Sequence, residues 1–212
     1  MSFPTTNDSN DQELRAVNQV LASIGQAPVT TLVDQTNPDV AIVSNTLDQV
    51  SREVQSEGWT FNKEFNYSIT PNINDEIDWP ADVLQIDISN DPSYYNKMNY
   101  NTVKRGSKLY DRQNHTFKFT NGAILCDVVW EFDWESLPHA IKDLIVAKAA
   151  AQCAMRLVGD PSLYQTLQQQ EAFCRAYAME YECNQGNYSY FGDPRNGTNY
   201  VPYQPYAALW RI

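Results

Sequence analysis

The residues best spaced to do chemistry lie on one segment, AILCDVVWEFDW (Ala123–Trp134). Ile124, Cys126, Val128, Trp130, Phe132 and Trp134 alternate with Leu125, Asp127, Val129, Glu131 and Asp133, and Glu135 continues the second row. On a strand this puts an apolar face against a core and an acidic face outward, with carboxylates two residues apart standing about 7 Å from each other. Paired carboxylates at that separation are the machinery of glycoside hydrolysis, so a glycan-degrading hydrolase using residues 123–135 is one reading. Such a pair needs one carboxyl held protonated by desolvation. Nothing in the segment sets one acid apart from the next, and a solvated acidic edge is the plainer reading.

The other reactive side chains offer less. His115 falls in the turn RQNHTF, and His139 falls in the first turn of a helix. Neither has a nucleophile in a recognisable motif, and GxSxG, GxxxxGK[ST], HExxH and GxGxxG are all absent. Cys126, Cys153, Cys174 and Cys183 form no CxxC pair and have no histidines at zinc spacing. They read as reduced, buried thiols in a protein assembled in a cytoplasm. No catalytic residue, cofactor or metal is expected.

The elements that carry these side chains change rhythm twice along the chain. Residues 1–10 are polar and expected to be flexible. From Asp11, a plausible N-cap, the stripe Leu14, Val17, Val20, Leu21 and Ile24 predicts a first helix that Gly25 and Pro28 end. Asn37 followed by Pro38 is the start signal of a second helix, whose stripe Val40, Val43, Leu47, Val50 and Val54 runs to Gly58. There the period drops from 3.6 to 2. Trp59, Phe61, Phe65, Tyr67 and Ile69 alternate with polar residues, predicting a half-buried strand from Trp59 to Ile69. VLQIDI (Val83–Ile88), a piece around NTVKRG, KLYDR, FKF (Phe117–Phe119) and Ala123–Trp134 follow as further strands. Their short connections, RGSK among them, require antiparallel pairing.

Helices return at Pro138. The third is HAIKDLIVAKAAAQCAMRLVG, closed by Gly159. Asp160 and Pro161 start the fourth, which carries Leu163, Leu167, Phe173, Ala176 and Met179 to about Cys183. The fold class is therefore α+β: a helical bundle (residues 11–58 and 135–183) with an inserted antiparallel β module (59–134) and an extended C-terminal tail (184–212). The third helix has more small apolar residues than one core needs, so Ala147, Ala149, Ala150, Ala151 and Ala154 are expected at a contact between subunits. The tail is interrupted by glycine and proline yet spaced with aromatics, among them Tyr200, Tyr203, Tyr206 and Trp210. That composition fits docking onto another protein better than simple disorder.

Composition excludes some partners. The net charge of −11 argues against wrapping nucleic acid, since phosphate affinity comes from Lys and Arg. The most basic run, VKRGSK (Val103–Lys108), reads as a hairpin. The start MSFPTTNDSNDQE has no signal-peptide pattern, and no run approaches the ~18 apolar residues of a membrane span.

Four segments resemble the tail tubular protein A family, head-to-tail adaptors of short-tailed bacteriophages (podoviruses). They are AVNQVLASIGQAPVTTL (Ala16–Leu32), VQSEGWTFN (Val54–Asn62), LYDR (Leu109–Arg112) and AMEYE (Ala178–Glu182). The resemblance runs from about Glu13 to Tyr181, is least in the β region, and fades beyond Cys183. It implies a structural virion protein without catalytic function. Copies of it would form a twelvefold ring, a dodecamer, connecting the portal to a tail nozzle of the tail tubular protein B type. Tail fibres or spikes would dock at its periphery, and DNA would pass through the channel at ejection without specific binding. An acidic lining would suit that passage, because it repels the duplex and lets it slide. The implied location is the virion tail, assembled in the host cytoplasm and without a membrane.

Overall fold

The computed structural model describes residues 9–33, 37–89, 100–120 and 122–186. Among the described residues two helices, five strands and two further helices follow one another, an α+β fold. Helix α1 (Ser9–Ser23) begins two residues before the expected cap, so Asp11 lies inside its first turn. Helix α2 (Pro38–Gln55) begins as its signals require: Asn37 Oδ1 accepts from the Asp39 N–H at 3.0 Å, with Pro38 at the first helical position.

After α2 the chain turns at Gly58 and enters the strands. Strand β1 (Lys63–Ile69) pairs with β5 (Ile124–Trp130), which pairs on its other edge with β2 (Val83–Ile88), giving the antiparallel order β1-β5-β2. A bulge between Glu64 and Tyr67 lets Asn66 adopt φ +56°. Strands β3 (Thr102–Arg105) and β4 (Lys108–Asp111) make a separate hairpin closed by the turn at Gly106 and Ser107.

The chain then returns to helices. Helix α3 (His139–Cys153) continues into a π turn (Ala154–Val158) and stops at Gly159, whose φ of +70° reverses the chain. Asp160 caps the next helix, its Oδ1 accepting from the Ser162 N–H at 2.9 Å, and α4 (Pro161–Gly186) runs back along α3. The Ser162 backbone bond, with help from its hydroxyl, holds the Asp160 carboxyl below its usual range.

Two apolar cores result. Val17, Val20 and Leu21 of α1 meet Val43, Leu47 and Val50 of α2 and Leu144 and Ile145 of α3. Ile77, Val83, Ile86, Leu109, Phe119, Ile124, Cys126 and Val128 fill the sheet. Trp59, just after the chain leaves α2, and Leu137, just before it enters α3, both belong to the helical core.

Several expectations are corrected. The first strand starts at Lys63. Trp59 to Asn62 form a turn, with the Asn62 and Lys63 N–H groups both donating to the Trp59 carbonyl. FKF is not a strand; that stretch makes only isolated bridges, Lys118 with Glu76 and Thr116 with Asp111. The last strand ends at Trp130, and a 3-10 turn follows at Trp134–Ser136. On α4 the buried face is Leu167 and Ala178, with Leu163, Tyr164 and Cys174 packed beside them, whereas Phe173, Ala176 and Met179 face outward. The helix runs to Gly186, so residues 184–186 are its last turn. At the other end, residues 9 and 10 open α1, and the expected flexible residues 1–8 lie outside those described.

Candidate functional site

Two of the segments singled out in the sequence, VQSEGWTFN and AMEYE, meet at one place, the joint where the helices meet the sheet. At Gly58 the backbone has φ +77°, which favours a residue without a Cβ. A Cβ there would also stand 3.3 Å from Val129 Cγ2 on the central strand. Helix α2 and the sheet touch closely enough at this point that only glycine passes without adjustment.

Polar side chains fasten the joint. Buried Gln55, the last residue of α2, donates from Nε2 to the Phe132 carbonyl (3.1 Å) and accepts at Oε1 from the Phe132 N–H (2.8 Å). Asn62, also buried, donates from Nδ2 to the carbonyls of Gln55 and Trp130, both at 2.9 Å, and accepts from the Trp59 N–H at 2.9 Å. The Trp59 indole N–H donates to the Val54 carbonyl at 2.7 Å. From the far end of the chain, Glu182 of α4 accepts from the Thr60 N–H at 3.0 Å and from the Thr60 hydroxyl at 2.6 Å. About two turns before it, Arg175 makes a bidentate pair with Glu57 at 3.0 and 2.7 Å. Backbone groups left unpaired by the helix and the strands thus find partners across three elements.

The same device recurs in every segment that carries the family resemblance. In AVNQVLASIGQAPVTTL, Asn18 clamps Val29, donating to its carbonyl at 2.9 Å and accepting from its N–H at 2.8 Å. In LYDR, fully buried Asp111 accepts from the N–H groups of Asn101 (3.1 Å) and Gln113 (2.9 Å) and from Asn114 Nδ2 (2.6 Å). VQSEGWTFN supplies Gln55 and Asn62, and AMEYE supplies Glu182. None of these clamps was identified from the sequence as a functional residue, although each lay inside a segment already marked as distinctive.

The acidic row does not survive as a strand face. Asp127 is on β5, where its Oδ1 accepts from the Asn66 N–H at 3.2 Å, but Glu131 and Asp133 lie in the loop after the strand and Glu135 in the 3-10 turn. The two-residue repeat that suggested a hydrolytic pair is therefore broken at Trp130. Glu131 is instead held by Arg52 Nε at 2.7 Å.

Glu131, Asp133 and Glu135 line an open groove of about 910 Å³ with Glu13, Asp48 and Arg52. Burial, and then the Asp48 charge, raise the Glu13 carboxyl above its usual range. Partial desolvation in the groove also raises Asp48, itself exposed, with Arg52 opposing the rise and Glu131 adding to it. Among the described residues no group of three or more His, Cys, Asp or Glu could hold a metal ion, and no helix is long and apolar enough to cross a membrane.

His115 is an exposed turn residue at φ +54°, and His139 is an exposed first residue of α3. Cys126 and Cys153 are buried, Cys174 is half-buried, and Cys183 is exposed, against the expectation of burial for all four. Burial, followed by Asp127 and Asp87, pushes the Cys126 thiol up to about 12. Ala147, Ala150, Ala151 and Ala154 are buried inside the chain, because α3 is covered by α1, α2 and α4. The small residues of this helix pack against three neighbouring helices of the same chain. Tyr200, Tyr203, Tyr206 and Trp210 lie outside the described residues.

Comparison with known proteins gives one family. A family model described as tail tubular protein matches residues 14–188, spanning both the helices and the sheet. No curated protein matches the chain.

Proposed function

The chain belongs to the tail tubular protein family, structural components of the bacteriophage tail, and on that premise we propose that it is the subunit of a ring joining the portal to the tail nozzle of a short-tailed phage. The observation that carries this reading is the extent of the family match, residues 14–188, which takes in the helical layer, the sheet and the joint between them. In the proposal the helices (residues 11–58 and 135–183) close a twelvefold ring. The inserted β module (59–134) presents a surface to the next component, to the nozzle or to a fibre or spike. The net charge of −11 supports passage of DNA through the ring without gripping it. The protein acts by shape, as an adaptor assembled in the host cytoplasm, and not as an enzyme. Residues Tyr200, Tyr203, Tyr206 and Trp210 anchor it to the portal, the rings supplying contact area at modest entropic cost.

Negative-stain electron microscopy of the full chain, alone and mixed with the portal and nozzle proteins of its phage, tests the reading. Annular particles that bridge the two are expected. A chain that neither forms rings nor binds either protein sinks it. Co-sedimentation with portal after truncation at Gly186 tests the tail separately: weaker binding is expected, and equal binding assigns the aromatics elsewhere.

A further inference from the structure

Helix α4 carries an apolar ridge that nothing in the described chain covers. Phe173 and Tyr177, one turn apart on the same face, are 78% and 56% exposed. Ala176 lies between them and Glu180 follows on the same side, both exposed. Scattered single apolar residues are ordinary on a surface, but two large rings one turn apart on a helix beside a carboxylate make a patch. A second patch sits where α3 ends. In the π turn Met155 is 61% exposed and Val158 46% exposed, with exposed Arg156 between them.

The two patches do not overlap. Val158 precedes α4, and Phe173 is about 18 Å along that helix from its first residue, at 1.5 Å per residue. Their charges are complementary. Arg156 donates to two neutral oxygens, Thr46 Oγ1 at 3.0 Å and Gln152 Oε1 at 3.4 Å, and among the described residues it makes no ion pair. Glu180 likewise makes none among the described residues. Two different, complementary patches on one chain are what a head-to-tail contact requires, and a contact of that kind generates a closed ring when its rotation closes.

Resting on the ring proposed above, we infer that the Phe173–Tyr177 ridge of one copy docks on the π turn of the next, with Glu180 meeting the neighbour's Arg156. The partner is a second copy of this chain. The contact buries the two aromatic rings against Met155 and Val158 and pairs the two charges at its rim.

Charge reversal tests this. Sedimentation velocity on the full-length protein, with and without portal, would compare the unmodified chain with Glu180→Arg, Arg156→Glu, the combined reversal, and a Phe173→Ser/Tyr177→Ser variant. All four positions are exposed, so folding, checked by circular dichroism, should be retained. Each single reversal is expected to raise the concentration for half-assembly roughly tenfold and the combined reversal to restore most of it. The double serine variant is expected to lose assembly by about a hundredfold. If the unmodified chain assembles and every variant matches it, this interface is wrong while the ring stands. That result would also follow if residues 187–212 of the same chain covered the ridge. Single reversals that weaken assembly without rescue by the combined reversal also overturn the pairing. An unmodified chain that stays monomeric in all conditions, portal included, overturns the ring and this interface together.

Discussion

Gln55 and Phe132 are 77 residues apart in sequence and joined by a reciprocal pair of hydrogen bonds, side-chain amide to backbone amide. One is the last residue of the helix that leads into the sheet, and the other follows the strand that leads out of it. A single buried side chain therefore ties the entrance of the β region to its exit.

Replacing Gln55 with Met keeps the volume and deletes both bonds. Leaving a backbone donor and acceptor without partners should cost about 2–3 kcal/mol. Urea unfolding followed by tryptophan fluorescence would read this as a lower midpoint with an unchanged slope. A loss below about 0.5 kcal/mol would mean that water replaces the clamp.

Gly58 and Gly25 make a matched pair. Both have left-handed backbones, φ +77° and +76°, but only Gly58 faces a neighbour where a Cβ would go, Val129 Cγ2 at 3.3 Å. Each Gly→Ala change should cost about 1 kcal/mol for the backbone. Gly58→Ala should cost measurably more, because helix α2 and strand β5 must move apart. Equal losses in melting experiments would show that the close approach relaxes freely.

Ala151→Glu should prevent folding and not merely assembly. The residue is 3% exposed within a helix that α1, α2 and α4 surround. A carboxylate there has neither room nor partner, a penalty of several kcal/mol. Loss of the cooperative helical melt by circular dichroism is expected. A variant that melts like the parent would mean that this side of α3 opens to solvent.

The Asp48 carboxyl is exposed at the mouth of the groove yet raised in the folded chain, chiefly by partial desolvation there. The folded state thus binds a proton more tightly than the unfolded one. Around and above the ordinary value of 3.8, stability should fall as pH rises, and below it that loss should vanish. Asp48→Asn is accordingly expected to stabilise the protein at pH 7 and to give little at pH 3.5. Comparing denaturation midpoints of the two proteins at both pH values checks the sign. A gain at pH 3.5 as large as at pH 7 would mean that something other than ionisation is responsible.

The sequence made the local grammar plain and left the tertiary choices hidden. Asn37–Pro38, Asp160–Pro161 and the turn at Gly106 declare themselves because their signals act within a few residues. The switch at Gly58 was visible for the same reason. The end of β5 was not, because the alternation of Trp130, Phe132 and Trp134 continues after the chain has left the sheet; there the Phe132 backbone pairs instead with Gln55, a residue far away in sequence. Phe173 and Met179 looked like a core stripe on composition. The face of α4 that packs was decided by α3, which takes Leu167 and Ala178. The clamps Asn18, Asn62 and Glu182 are polar residues of common types, and only the folded chain shows which backbone groups they reach.

The fastenings at Phe132, Asn62 and Thr60 have a mechanical meaning. A body held at one point can swivel, and one held at two can still turn about the line between them. Here the sheet is pinned to the end of α2 through Gln55 and Asn62 and to the end of α4 through Glu182. A third attachment restrains that remaining rotation. A twist applied to the helical layer is then passed on to the strands that begin and end at these fastenings, as by a bracket and not a hinge.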